Sequence, residues 1–372
     1  MKKKFFAVVL MLVMLLSLVS CGKKKSTGTY LDNVAKMTEI KGGSTECKLT
    51  VNMEKGKISE LTSGALDTDT VSLTLKANTN ADASASTVTL YANVLGTDLE
   101  ICTITYLDKN LYIDASKLKD SVTNCGIAAL SQYAAYIPSG SLAVVISEDE
   151  LQSYVNEYAS EQGIDSSDLT IDKAASQTQD MYTIINLAAE KFVPIFNTAF
   201  NSVTPAVFST TDGKAAFTVN NDNYVALINA LITAVTGDEF KSALDSFVTD
   251  LGTKGIDDSL YTQIKDGVDK IKTGLESYNK EDTDSSISDM EQSLKDSGIT
   301  FSVNSTASVS GSDAKQKADF SLTADIKNTE YGEINASMTV TNDETGTADI
   351  TAPSDAMTVD EFKSMFSTLL GY

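Results

Sequence analysis

The chain has no histidine and no tryptophan, and all 29 of its basic residues are lysine. Without histidine there is no Ser-His-Asp or Cys-His relay, no imidazole ligand for zinc, and no side chain that ordinarily titrates near neutrality. Without arginine there is no planar fork to grip a phosphate or carboxylate through two hydrogen bonds. Cysteine is scarce too: Cys21, Cys47, Cys102 and Cys125 are widely spaced with no C-x-x-C, which argues against a metal cluster or a dithiol redox centre. No glycine-rich phosphate loop follows a strand, and no G-x-S-x-G elbow occurs. The carboxylate clusters Asp67-Thr68-Asp69, Glu281-Asp282-Thr283-Asp284 and Asn342-Asp343-Glu344 lack the spacing of a calcium loop and read as solvated acidic turns, with Asp284 to Ser286 as a helix N-cap. No catalytic residue, cofactor or metal is therefore expected, and the chain reads as a non-enzyme.

What is present begins at the N-terminus. Lys2-Lys3-Lys4, the apolar run Phe5 to Leu16 and the small residue Ser20 are the three parts of a secretory signal. The apolar run is short for a membrane span of about 20 residues. Leu18-Val19-Ser20-Cys21 resembles the bacterial lipobox, which implies that Cys21 receives a diacylglyceryl group and becomes the mature N-terminus. Residues 1–20 are then the signal peptide and 21–28 a flexible tether. The expected location is the outer face of the cell membrane, as for a lipoprotein of a Gram-positive cell. The whole chain carries a net charge of −22, and loss of the signal lysines makes it more negative by three. Such a surface repels nucleic acid and anionic headgroups, so no nucleic-acid partner is expected and attachment rests on the lipid.

After a short helix at Tyr30 to Met37 the hydrophobic pattern has period two. Cys47, Leu49, Val51 and Met53 alternate with polar residues; Val71 to Ala77 and Val88 to Val94 do the same. Leu99 to Ile104 and Leu111 to Ile113 complete a five-strand meander with one apolar and one wet face. Helical patterns follow: a capping box at Ser147 to Glu150 opens a helix ending near Gly163, and a long helix runs from Asp172 to Asn201 through Pro194. A hairpin turns at Thr211-Asp212-Gly213. Further helices span Asp222 to Val235, Asp238 to Leu251, Asp257 to Tyr278 and Ser285 to Asp296. Alternation returns at Ile299 to Val303, Ala318 to Ile326, Ile334 to Val340 and Ala348 to Ile350, before a closing helix at Val359 to Leu370.

The pattern predicts an α+β fold: a large curved antiparallel sheet of about eleven strands, a half-open β-barrel wrapped around helices. It is read as a single domain, 29–372, with helical insertions at 115–204 and 221–298; the alternative is two α+β halves meeting near Pro205. The acylated cysteine, this architecture, and the segments Asn110 to Leu118 and Ile350 to Ala356 resemble the LolA/LolB and LppX/LprG-type lipid-carrier lipoproteins. That resemblance implies a hydrophobic cavity between sheet and helices that holds an acyl chain. Its wall would be Leu49, Val51, Leu73, Leu75, Leu90, Phe320 and Leu322 on strands, facing Phe192, Phe196 and Phe200 on the long helix. The same stripes also suit an ordinary packed core. The functional expectation is a lipid-anchored carrier of a lipid or other hydrophobic ligand, with a surface scaffold that binds a protein partner as the alternative. A solute receptor ranks lower, because it needs parallel strands in two lobes. The three remaining thiols leave open a disulfide, Cys102–Cys125 or Cys47–Cys102, or none.

Overall fold

A computed structural model describes residues 30–370 except 38–39, 41, 65, 81–83, 163–170, 312–314, 329–331 and 347–348. The signal segment, Cys21, the tether, Gly163 and Ala348 lie outside the described residues. The fold is α+β, built on a twelve-stranded, mostly antiparallel sheet that does not close on itself. In chain order the elements are α1 (Tyr30–Met37), β1 (Gly43–Met53), α2 (Lys57–Leu61), β2 (Thr70–Thr79), β3 (Ser86–Val94), β4 (Thr97–Leu107) and β5 (Asn110–Asp114). Next come α3 (Leu118–Asn124), α4 (Ala128–Ser131), a 3-10 turn at Gln132–Tyr136, β6 (Ala143–Ser147), α5 (Glu148–Gln162) and α6 (Ile171–Asn201). Then follow β7 (Phe208–Thr211), β8 (Lys214–Asn220), α7 (Tyr224–Thr236), α8 (Asp238–Leu251), α9 (Asp258–Glu276) and α10 (Lys280–Asp296). The chain ends with β9 (Thr300–Ser310), β10 (Lys317–Asn328), β11 (Gly332–Asp343), β12 (Met357–Thr358) and α11 (Val359–Leu370). The sheet order is β12-β6-β5-β4-β3-β2-β1-β11-β10-β9-β8-β7.

Local chemistry explains most boundaries. Ser147 and Glu150 form the reciprocal cap at the start of α5, with Ser147 N–H donating to Glu150 Oε2 at 2.9 Å and Glu150 N–H donating back to Ser147 Oγ at 3.3 Å. Thr358 and Glu361 repeat it before α11. Hydrogen bonds donated by Ser147 and Thr358 hold both glutamates below the usual carboxylate range. The β7–β8 turn places Asp212 and Gly213 at positive φ, the geometry that matches the twist of a two-residue hairpin.

Three expectations are corrected. The sheet has twelve strands rather than about eleven: β6 lies inside the stretch read as a helical insertion, and β12 pairs with it in parallel. The apolar run Leu142 to Ile146 carries no period-two signal, so sequence could not separate it from helix. Ile350 lies outside any strand. Finally, α10 begins at Lys280, not near Ser285, because Asn279 Oδ1 accepts the Glu281 N–H at 3.0 Å and supplies the cap. Asp284 is instead an interior residue paired with Lys280.

The chain divides into two compact units. The first holds α1 with residues 175–309 and 320–333; the second holds 40–174, 310–319 and the residues from 334 onward. The first unit has a filled aromatic core of Tyr30, Leu31, Phe196, Phe200, Phe217 and Leu227, among others. Tyr30, 2% exposed, stacks on Phe217 at 5.7 Å between ring centroids. Its hydroxyl shares a 2.6 Å hydrogen bond with Ser305, which donates to the Ser321 carbonyl at 2.7 Å. A second cluster around Leu244, Phe247 and Leu251 packs α8 and α9 beside α6. There Lys191 meets Asp250 at 2.5 Å, a hydrogen bond that raises the lysine pKa and lowers that of the aspartate. The second unit has a small cluster of Leu99, Cys125 and Ile127 under α3.

Candidate hydrophobic ligand site

Register in the second unit assembles the period-two positions into rows that cross the strands. Leu49 lies opposite Met338 of β11 and Leu73 of β2, and Leu73 opposite Ala92 of β3. Cys47, Leu75, Leu90 and Cys102 form the next row across β1 to β4. Ala77, Val88, Ile104, Ile113 and Val144 make a third, across β2 to β6. Because directly opposed residues in antiparallel strands share a face, these rows form one apolar surface from β11 to β6. Six interstrand spacings make it about 29 Å wide.

This face is open. Leu49 is 44% exposed, Leu73 50%, Leu75 43% and Ile104 40%. The opposite, polar face is the better covered: Thr74 is 7% and Thr105 4% exposed. The reason lies in the neighbours. Thr74 sits in register between Lys48 and Tyr91, and Thr105 between Thr87 and Tyr112. Long amphipathic side chains can lie over short hydroxyls while keeping their tips wet. On the same face Lys76 lies 5.2 Å over the Tyr91 ring. Thr87 with Thr105, and Thr89 with Thr103, satisfy each other at 3.1 and 2.9 Å. The alternation therefore locates the apolar face correctly but does not reveal that it is the barer one.

The ten wall positions fall into two groups. Leu49, Val51, Leu73, Leu75 and Leu90 are neighbours on the open face of the second unit. Phe192, Phe196, Phe200, Phe320 and Leu322 belong to the first unit. Phe196 and Phe200 are buried in its aromatic core, with Phe192 and Phe320 packed against that core. Phe192 also approaches Phe240 and Phe247 at 5.3 and 5.8 Å. Leu322 is partly buried.

Cys47, Cys102 and Cys125 are all free thiols, so neither disulfide forms. Register explains this for Cys47 and Cys102, which stand three interstrand spacings apart, about 14 Å. A disulfide requires Cα atoms within about 7 Å. Cys47 and Cys102 are partly exposed on the apolar face, while Cys125 is buried. Among the described residues, no three acidic or cysteine side chains converge in a way that would hold a metal ion. Sequence reasoning missed a polar cleft of about 490 Å³ at one end of β1, β2 and β11. Its residues are far apart in the chain, and only strand pairing joins them. Comparison with known proteins finds no matching family model, no matching curated protein and no matching solved structure.

Proposed function

We propose that this chain is a lipid-anchored, extracytoplasmic lipoprotein that binds a hydrophobic ligand on the open face formed by Leu49, Val51, Leu73, Leu75 and Leu90. The observation that carries this reading is the inversion of cover: large leucines stand 43 to 50% exposed where threonines behind them are buried. Contiguous apolar surface left open in a soluble domain marks a site for a ligand or a partner. The likeness to lipid-carrier lipoproteins drawn from the sequence points the same way. Membrane attachment is assigned to a diacylglyceryl group on Cys21. No catalytic role is assigned.

The test is native mass spectrometry with lipid extraction on the chain from Gly22 onward, purified without detergent. A retained species of lipid mass, lost in the Leu73→Glu, Leu75→Glu double variant, supports the reading. A clean apo mass that membrane lipids leave unchanged refutes it. Labelling with radioactive palmitate tests the anchor separately, with Cys21→Ala expected to abolish incorporation. A second reading, a protein-interaction surface, draws on the highly exposed Tyr133, Tyr136 and Tyr158, since tyrosine is enriched at interfaces.

A further inference from the structure

The open face carries no charge, and this inference rests on the proposed function in treating that face as the ligand site. Alternation sends every charged residue of β1 to β4 and β11, Glu46, Lys48, Lys76 and Asp98 among them, to the opposite face. The Leu49–Leu73 row and the Cys47–Leu75 row are therefore hydrocarbon, with only weakly polar thiols among them. Nothing on these rows can pair with a charged head.

The face also has a grain. Rows on one face lie two residues apart along a strand, about 6.8 Å, whereas neighbouring strands are about 4.8 Å apart. Hydrocarbon carbons touch at about 4 Å, so a chain beds between rows and lies across the strands. The furrow between these two rows is flanked by the exposed Leu49, Leu73 and Leu75, and it ends at β4. There the β3–β4 register shifts at Leu90/Tyr91, which leaves Ile101 with no partner on β3. Ile101 and Leu99 pack with Cys125 and Ile127, which lie between α3 and α4. Cys125 Sγ donates to the Val122 carbonyl at 3.1 Å and accepts the Ile127 N–H at 3.4 Å, which fixes that turn. Leu99, Cys125 and Ile127 are at most 5% exposed, and together they close the furrow with an apolar wall. Ala92, opposite Leu99, is the smallest side chain of its row and leaves the furrow deep beside the wall. From β11 to β4 the furrow crosses four interstrand spacings, about 19 Å. One leaflet of a bilayer core is about 15 Å, so a membrane-length acyl chain fits within it.

We propose that the protein grips a lipid by hydrocarbon alone: an acyl chain lies across the strands between the Leu49–Leu73 and Cys47–Leu75 rows, its methyl end against the Cys125–Ile127 wall, and no protein group holds the head.

The experiment uses the protein from Gly22 onward with three probes that share a twelve-carbon chain: laurate, monolauroylglycerol and dodecylphosphocholine, each kept below micelle formation. Octanoate serves as the short chain. Affinity is read by calorimetry in about 0.15 M salt, where charge on the far face is screened. Position is read by protection of Cys47 and Cys102 from a thiol reagent, with buried Cys125 as internal reference. The three heads are expected to bind within about threefold of one another, and affinity to rise about fourfold per methylene from octanoate to laurate. Cys102 is on β4 beside the wall and Cys47 on β1, so octanoate should protect Cys102 alone and laurate both. Ala92→Leu, which fills the furrow beside the wall, should weaken laurate at least tenfold, and Ala77→Leu, one row outside the furrow, should leave it unchanged; circular dichroism checks both folds. A spread of more than tenfold among the heads overturns the hydrocarbon-only grip while the open face survives as a ligand site. Octanoate protecting Cys47 and not Cys102 overturns the orientation, and equal effects of the two alanine variants overturn the furrow. No binding and no protection by any probe overturns both this inference and the proposed function.

Discussion

Tyr30 provides a quantitative test of how α1 is held, using the Tyr30→Phe substitution. The variant removes one hydroxyl whose 2.6 Å hydrogen bond to Ser305 is buried, which costs about 1 kcal/mol near neutrality. Burial pushes the Tyr30 phenol up from 10.0 to about 12, with the Ser305 hydrogen bond opposing in part. A raised folded-state pKa means that the unfolded chain loses this proton first. The stability it supports is complete below pH 10 and is lost as pH rises toward 12, at about 1.4 kcal/mol per pH unit. The native protein should therefore lose about 3 kcal/mol through this group alone, and the phenylalanine variant none. Other tyrosines and the lysines titrate in both proteins and cancel in the difference. The variant should be less stable by about 1 kcal/mol at pH 8, equal near pH 11 and more stable by about 1 kcal/mol at pH 12. Urea unfolding by far-ultraviolet circular dichroism at each pH measures this without relying on tyrosine fluorescence. A difference that stays constant from pH 8 to 12 would refute the buried-phenol account.

Core and open face should respond differently to truncation: Leu251→Ala, at a fully buried position, should lower stability by about 2–5 kcal/mol, and Leu73→Ala by about 1 kcal/mol or less, both by urea midpoint. Gly43→Ala should destabilise by more than about 1 kcal/mol, since Gly43 has φ +85° and an added Cβ would crowd the Asp343 carbonyl and Glu344 Cα; an unchanged thermal midpoint would contradict that. Thiol labelling of the native protein should modify Cys47 and Cys102 within the time that Cys125 remains intact, and urea should abolish the difference. Equal native reactivity at all three would contradict the assigned burial.

Where a segment carried its own chemistry, the sequence was readable. The bounds of α1 follow from its amphipathic pattern, and α5 follows from the reciprocal cap of Ser147 and Glu150. The meander followed from alternation because the side-chain period of a strand is two. What failed was chemistry shared between distant residues. The five-residue strand β6 gains its identity from β5 and β12, and β12 consists of two residues with no local signal. At α10, the run of charges after Asn279 has no apolar period, so the real cap was passed over for Asp284. Among the candidate residues, sequence grouped Leu49, Leu73 and Leu75 correctly on one face. It had no means of showing that Thr74 and Thr105 on the other face are nearly buried. The cleft at Asn342 was illegible for the same reason: Thr45 and Asn342 are neighbours only through the β1–β11 register.

A sheet that does not close has two borders, and in this one both are short. The border at β12 is two residues long, and the one at β7 is four, of which Ser209, Thr210 and Thr211 are polar and exposed. A chain tethered to a surface meets copies of itself far more often than a freely diffusing one, and long bare borders would let such copies zip together strand to strand. Abbreviated borders and a net charge of −22 oppose that outcome. Held at a membrane by the proposed acyl anchor, this protein is expected to stay dispersed, even though it displays leucines openly.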